Sequence, residues 1–111
     1  MTSYDYKAKI FEFYEEIKRL IIQGAERKEI EQLISLIHKM LFYAEQYFID
    51  QELKFRNDQE RLKKIRSERQ DVINRLQTFA NTINDFNSEI YQMLNFLENW
   101  KYKLNTEQQY A

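Results

Sequence analysis

Histidine, cysteine and glycine, on which most catalytic and metal sites depend, are almost absent from this sequence. His38 is the one histidine, Gly24 is the one glycine, and cysteine does not occur. Metal sites in helical bundles need Glu-x-x-His or His-x-x-x-His pairs, and no carboxylate lies three or four residues from His38. Nucleophilic triads need a neighbouring base, and phosphate loops need several glycines. The sequence therefore predicts no catalytic residue, no metal ligand, no cofactor and no enzyme activity.

The densest charge lies between Lys54 and Arg69, where basic and acidic side chains are interleaved. These residues are Lys54, Arg56, Asp58, Glu60, Arg61, Lys63, Lys64, Arg66, Glu68 and Arg69. A patch that binds anions such as nucleic acid is one interpretation. Interleaved acids favour a solvated mixed face instead, and a formal net charge of -1 lacks the basic excess of nucleic-acid binders. The sequence therefore favours a partner other than nucleic acid.

Length and composition predict one helical domain over residues 1–111. The chain has no proline and one glycine, so the turns of a β-protein have almost no residues to form them. Hydrophobic residues make up 43% of the chain and charged residues 32%, arranged with helical periodicity. No apolar run approaches the roughly 20 residues of a membrane span, and residues 1–5 do not resemble a signal peptide. We expect no membrane partner and a cytoplasmic, intracellular location.

One apolar row dominates the second half of the chain and is called the core seam below. Its members follow alternating steps of three and four residues, which keeps them on one side of a helix that needs other helices against it. Arg69 is the only polar residue on this row. The apolar members are Leu62, Ile65, Val72, Leu76, Phe79, Ile83, Phe86, Ile90, Met93, Leu97, Trp100 and Leu104.

Four helices follow from this periodicity and from the residues that begin or end helices. Ser3 or Asp5 suits the start of the first helix, and Gly24 suits its end. The second helix runs from Ile30 to about Phe55, and Asn57-Asp58 precedes a third helix that reaches about Phe79. Ser88 or Asn87 suits the start of the fourth.

Two architectures compete for the core seam. An uninterrupted helix from Leu62 to Leu104 would be about 65 Å long and would need a second chain to cover it. Alternatively, the chain reverses at about Asn84–Ser88, in a stretch rich in residues that favour caps and turns. We favour the reversal because further apolar residues, Ile73, Ala80, Leu94 and Phe96, make the row too broad for a two-stranded seam. The predicted fold is an antiparallel four-helix bundle, the alternative an elongated coiled-coil hairpin or dimer.

Tyrosines at both chain ends, together with Arg69, form a candidate partner surface. Aromatic residues are enriched in protein interfaces, and Arg69 is out of place on an apolar row. Arg69 could reach solvent, pair with a carboxylate or mark an opening towards a partner. The candidate residues are Tyr4, Tyr6, Arg69, Tyr102 and Tyr110. Alternatively, the two chain ends meet at one end of the bundle and their tyrosines cover one another.

Two segments resemble the hemerythrin family. Tyr43-x-x-x-Tyr47-Phe48-x-x-Gln51-Glu52 is similar to the family's Tyr-x-x-x-His-Phe-x-x-Glu-Glu, and Leu94-x-Phe96-Leu97-x-x-Trp100 followed by Thr106-Glu107-x-x-Tyr110 is similar to its last helix. The resemblance covers the C-terminal two-thirds and implies a four-helix bundle. The family's iron ligands are replaced, by Tyr47, Gln51 and Leu104, so the resemblance implies neither iron nor oxygen binding.

These observations predict a non-catalytic helical module with a structural or interaction role. Its partner would be another protein or a second copy of the chain. The alternative, from a different functional class, is a degenerate hemerythrin-like bundle that binds a metal or a small ligand.

Overall fold

Four α-helices make up the part of the protein that the computed structural model describes, residues 5–23, 27–83 and 88–108. They are α1 (Tyr6–Ile22), α2 (Arg27–Lys54), α3 (Gln59–Thr82) and α4 (Ser88–Gln108), and these ranges contain no β-strand. Helix α1 packs on α2 and α4, and α3 packs on the same two helices. The prediction of an all-α four-helix bundle is confirmed.

Neighbouring helices run in opposite directions. Three contacts between α1 and α4 show this, because residue numbers rise on one helix as they fall on the other. Lys7 Nζ donates to the carbonyl of Leu104, Lys101 Nζ lies 2.9 Å from Glu15 Oε1, and Lys18 Nζ lies 3.7 Å from Glu98 Oε1. Helices α1 and α4 are therefore antiparallel, as the first and last helices of an up-and-down four-helix bundle are.

Aspartate side chains begin two of the helices. Asp5 Oδ1 accepts a hydrogen bond from the backbone N–H of Ala8 at 3.0 Å, and Asp58 Oδ1 accepts one from Arg61 at 3.2 Å. Each bond satisfies a backbone donor that has no partner within its own helix. The helix starts predicted at Asp5 and after Asn57-Asp58 are confirmed, whereas Gly24 lies outside the described residues.

The core seam does not continue as one long helix. Helix α3 ends at Thr82, three residues later than predicted, and Ile83 turns away with ψ 114°. The Thr82 hydroxyl donates to the carbonyl of Thr78 at 2.7 Å. The rings of Phe79 on α3 and Phe96 on α4 lie 6.3 Å apart, so α4 returns along α3. The 65 Å helix is therefore wrong: the largest dimension is 47 Å. Residues 84–87 lie outside the described part.

Most of the core seam is buried. The buried members are Leu62, Val72, Leu76, Ile83, Ile90, Met93, Leu97, Trp100 and Leu104. Ile65 and Phe79 are half-buried against the core, and Phe86 lies outside the described residues. The facing residues come from α1 (Ile10, Tyr14, Ile17, Ile21) and from α2 (Ile30, Leu33, Leu36, Ile37, Met40, Ala44, Tyr47, Phe48).

The end of α2 and the beginning of α3 extend past this core. Helix α2 continues for eleven residues, about 16 Å, beyond Tyr43, whose ring lies 6.4 Å from that of Tyr6 at the start of α1. Among the described residues, none from 49 to 64 belongs to the shared core. Leu62 is buried there but apart from it. Residues 49–64 are called the arm below.

Candidate interaction surface

Helix α2 carries a second apolar row that faces away from the bundle. Phe42, Ile49 and Leu53 are 56, 38 and 63% exposed. Steps of seven and four residues turn a helix through nearly whole numbers of revolutions, so the three side chains lie within about 40° of one another around the axis. We call Phe42, Ile49 and Leu53 the outer stripe. Exposed apolar rows of this kind mark interaction sites more often than scattered single residues do.

A groove adjoins the outer stripe where α2 meets α1. Its volume is about 550 Å³, and its walls are Phe13, Ser35, His38, Lys39, Phe42 and Tyr43. The Tyr43 ring stacks on Phe13 at 5.5 Å and meets the edge of Phe42 at 5.3 Å. The floor of the groove is therefore aromatic and supported from both helices, while Phe42 belongs to the groove and to the outer stripe. The two features form one continuous surface.

Two charged residues flank the outer stripe on the side that faces α1. Lys39 precedes Phe42 by three residues and Asp50 follows Ile49 by one, which places both on the same flank of the helix. Lys39 is exposed and Asp50 is half-buried, and neither forms an ion pair with another described residue. Opposite charges thus stand at the two ends of the same flank.

The flank that faces α3 is occupied by an intramolecular charge cluster. Glu52 lies 3.5 Å from Arg66 Nε and 3.6 Å from Arg69 Nη1. Arg69 therefore pairs with a carboxylate across the α2–α3 interface, one of the three roles that the sequence left open. Within the arm, the Arg61 guanidinium covers the Phe55 ring at 4.3 Å from its centroid. Several cations of this segment are thus engaged within the chain.

The predicted tyrosine surface is only partly assembled in the described residues. Tyr6 is half-buried and lies beside Tyr43, while Tyr102 on α4 is 74% exposed. Tyr4 and Tyr110 lie outside the described residues. Tyr91, on the same helix as Tyr102, is also exposed.

A charge network clamps α1 to α4 around the buried ring of Tyr14. Glu15 accepts from Lys101, and the Lys101 ammonium also lies 4.9 Å from the centroid of Tyr14. Burial raises the pKa of the Tyr14 hydroxyl well above its usual range, and a hydrogen bond to Glu98 adds to the rise. The hydrogen bond from Lys101 lowers the pKa of Glu15. These groups hold the two helices together through one buried ring and two ion pairs.

Lys7 occupies the region where two of the hemerythrin-like positions meet. Tyr47 and Leu104 are both buried, and Lys7 Nζ lies 5.8 Å from the Tyr47 ring centroid and 3.0 Å from the Leu104 carbonyl. A fixed ammonium repels a metal cation at close range. Phe48 and Trp100 stack nearby at 6.2 Å, which fills the interior with aromatic rings.

The described residues include no cluster of three or more histidine, aspartate or glutamate side chains that could hold a metal ion. None of the described helices combines the length and apolar character that a membrane span requires.

The sequence predicted helix α2 but did not single out the outer stripe. The apolar residues of α2 occupy two rows, and the inner row passes through Leu33, Ile37 and Phe48. Phe42, Ile49 and Leu53 do carry a detectable signal, because their steps of seven and four repeat the period of the first row on another face of the helix.

The chain matches no protein-family model, and no curated protein or solved structure is detectably similar to it.

Proposed function

We propose that this protein is a non-catalytic interaction module that binds the helix of another protein chain along the outer face of α2. The observation that carries the proposal is the outer stripe, three large apolar side chains left in solvent on a helix whose other face is buried. Full burial of a completely exposed side chain of this kind gains about 1.5–3 kcal/mol, and these three would gain the part that corresponds to their present exposure. A complementary helix would cover all three at once.

The groove gives this surface the shape that helix recognition requires. Helices that bind grooves insert side chains spaced by three, four or seven residues into apolar pockets. Phe42 joins the row to an aromatic pocket walled by Phe13 and Tyr43, so an inserted side chain would contact rigid rings. The polar rim of Ser35, His38 and Lys39 would fix the orientation of the bound helix.

Photo-crosslinking in the producing cells tests the proposal. We would replace Ile49 with benzoylphenylalanine, irradiate the cells and identify the adduct by mass spectrometry. We expect a discrete protein adduct that disappears when Phe42→Ser and Leu53→Ser are added. Tyr91→Ser is the matched control, because Tyr91 is as exposed as Leu53 but lies on α4.

The adduct should persist in the Tyr91→Ser control. The absence of any adduct at position 49, or an adduct that survives loss of Phe42 and Leu53, would overturn the proposed function.

A further inference from the structure

The positions of the outer stripe along α2 would allow a second copy of α2 to pair with it about a two-fold axis. A two-fold axis placed between Glu45 and Gln46 relates position 42 to position 49, and position 38 to position 53. If a second copy of α2 lay antiparallel on the first about this axis, Phe42 would face Ile49 of the second copy and Ile49 would face its Phe42. Apolar side chains would therefore meet apolar side chains on both sides of the axis, as in an isologous interface.

The charges beside the stripe obey the same symmetry. A two-fold axis of this kind sets each flank of α2 against the same flank of the second copy. Lys39 and Asp50 share a flank, and their positions along the helix match to about 3 Å when one copy is reversed. Lys39 would therefore face Asp50 of the second copy, twice per dimer. In a parallel pair, the eleven residues between them would keep these charges about 16 Å apart.

Leu53, in the arm of one copy, would also be complementary to the groove of the second copy. Leu53 projects beyond its own bundle core, where the described residues leave it 63% exposed. In the antiparallel arrangement it would lie over His38 of the second copy, at the groove walled by Phe13, Phe42 and Tyr43. A leucine that is exposed in one copy would thus be covered by an aromatic groove that is open in the other.

We infer that two copies of this chain associate through α2, antiparallel and about a two-fold axis between Glu45 and Gln46. This inference rests on the proposed function and names a second copy as the bound helix. One helix pair buries less than the roughly 1,600 Å² of a standard interface, so the dimer dissociates in the micromolar range. Glu45 of each copy approaches the axis as a like-charge pair, which weakens association without preventing it.

Sedimentation velocity over a range from about 1 to 500 μM tests the inference on the full chain. The mass should rise with concentration from 13.8 kDa towards twice that value. Leu53→Ser should shift the dissociation constant at least tenfold, because two leucines per dimer lose an apolar contact. Tyr91→Ser, which removes an equally exposed apolar side chain from α4, should leave the dissociation constant unchanged.

Charge exchange tests the antiparallel register. Lys39→Glu alone and Asp50→Lys alone should each weaken the dimer about tenfold, because each creates two like-charge pairs. The double variant Lys39→Glu/Asp50→Lys should restore the wild-type dissociation constant, and Glu45→Gln should tighten the dimer. Circular dichroism would verify that all variants remain helical.

A monomer at every concentration would overturn the inference, and so would a dimer that tolerates Leu53→Ser. Failure of the double variant to restore association would overturn the antiparallel register. A monomer that still gives a photo-adduct with a different protein at position 49 would refute self-association and leave the proposed function standing.

Discussion

The partners of individual charged residues in this bundle come from a neighbouring helix. Arg69 lies on an otherwise apolar row, yet Glu52 on α2 meets its guanidinium at 3.6 Å and draws it to the edge of the core. Lys101 reaches Glu15 and the ring of Tyr14 from α4. In both cases the charged end of a basic residue meets a carboxylate on a neighbouring helix.

Tyr14 gives a pH-dependent prediction. Its folded-state pKa is raised above the ordinary value of 10.0 by burial and by Glu98, so its contribution to stability is complete below about pH 10 and is lost as the pH rises further. In a titration followed by tyrosinate absorbance at 295 nm, we expect Tyr14 to ionise only well above pH 10. Tyr14→Phe should reduce the late absorbance change by the amount that one tyrosine contributes.

Tyr91→Phe is the control, because Tyr91 is exposed on α4 and its replacement should leave the late absorbance change intact. If Tyr14→Phe removes a tyrosine that titrates with the others, the burial argument fails. At neutral pH, Tyr14→Phe should cost about 1 kcal/mol of the free energy of unfolding, through the lost hydrogen bond to Glu98.

The elements differ in length, and that difference creates the arm. Helix α1 has 17 residues and α2 has 28, so α1 accompanies only part of α2. Beyond the shared core α2 has α3 as its neighbour. Leu62 is buried there, and Asp58 caps the start of α3. A two-helix segment buries less apolar surface than a four-helix layer and therefore opens more readily.

Leu62 and Leu76 provide a matched test, because both are buried leucines on α3. Leu76→Ala should cost about 2–5 kcal/mol of global stability, as expected for a packed core. Leu62→Ala should cost less than half as much and should accelerate amide hydrogen exchange mainly in residues 51–64. Urea unfolding and hydrogen exchange measure the two effects. Equal losses of global stability in Leu62→Ala and Leu76→Ala would show that the arm is part of the cooperative core.

At the scale of the whole molecule, one core holds all four helices together while the outer stripe of α2 is left in solvent. The largest dimension of 47 Å is close to the length of α2 alone, about 42 Å, so this helix sets the size of the molecule. Its inner row holds the bundle together, and its outer stripe is exposed to solvent. The core and the proposed interaction surface thus share one helix, which would keep that surface rigid.

The proposed role makes a prediction about metal. Addition of ferrous iron in air should produce no visible absorption band and no change in the midpoint of thermal unfolding, because a ligand stabilises a fold only when it binds the folded state. Lys7, which bonds the Leu104 carbonyl beside Tyr47, is the physical reason. Lys7→Ala is the companion variant, since it removes the ammonium. A band or an upward shift in the wild type would favour the degenerate hemerythrin-like alternative.

Local chemistry in the sequence determined where helices form and begin. A backbone hydrogen bond of a helix spans four residues, and an aspartate cap spans three. The helix starts at Asp5 and Asp58 and the helical periodicity around Leu76 could therefore be predicted without knowledge of the fold. The end of α3 at Thr82, three residues beyond the predicted Phe79, was not indicated by helix propensities, because they disfavour Asn81 and Thr82 inside a helix.

Tertiary structure decided which apolar row of α2 is covered. Phe48 and Ile49 are adjacent and both apolar, yet Phe48 stacks on Trp100 and Ile49 meets solvent. Burial depends on where neighbouring helices lie and how far they extend, and neither quantity is encoded in a few consecutive residues. Helical periodicity therefore identified the helices and both apolar rows of α2, whereas packing determined which row is exposed and which carboxylate pairs with Arg69.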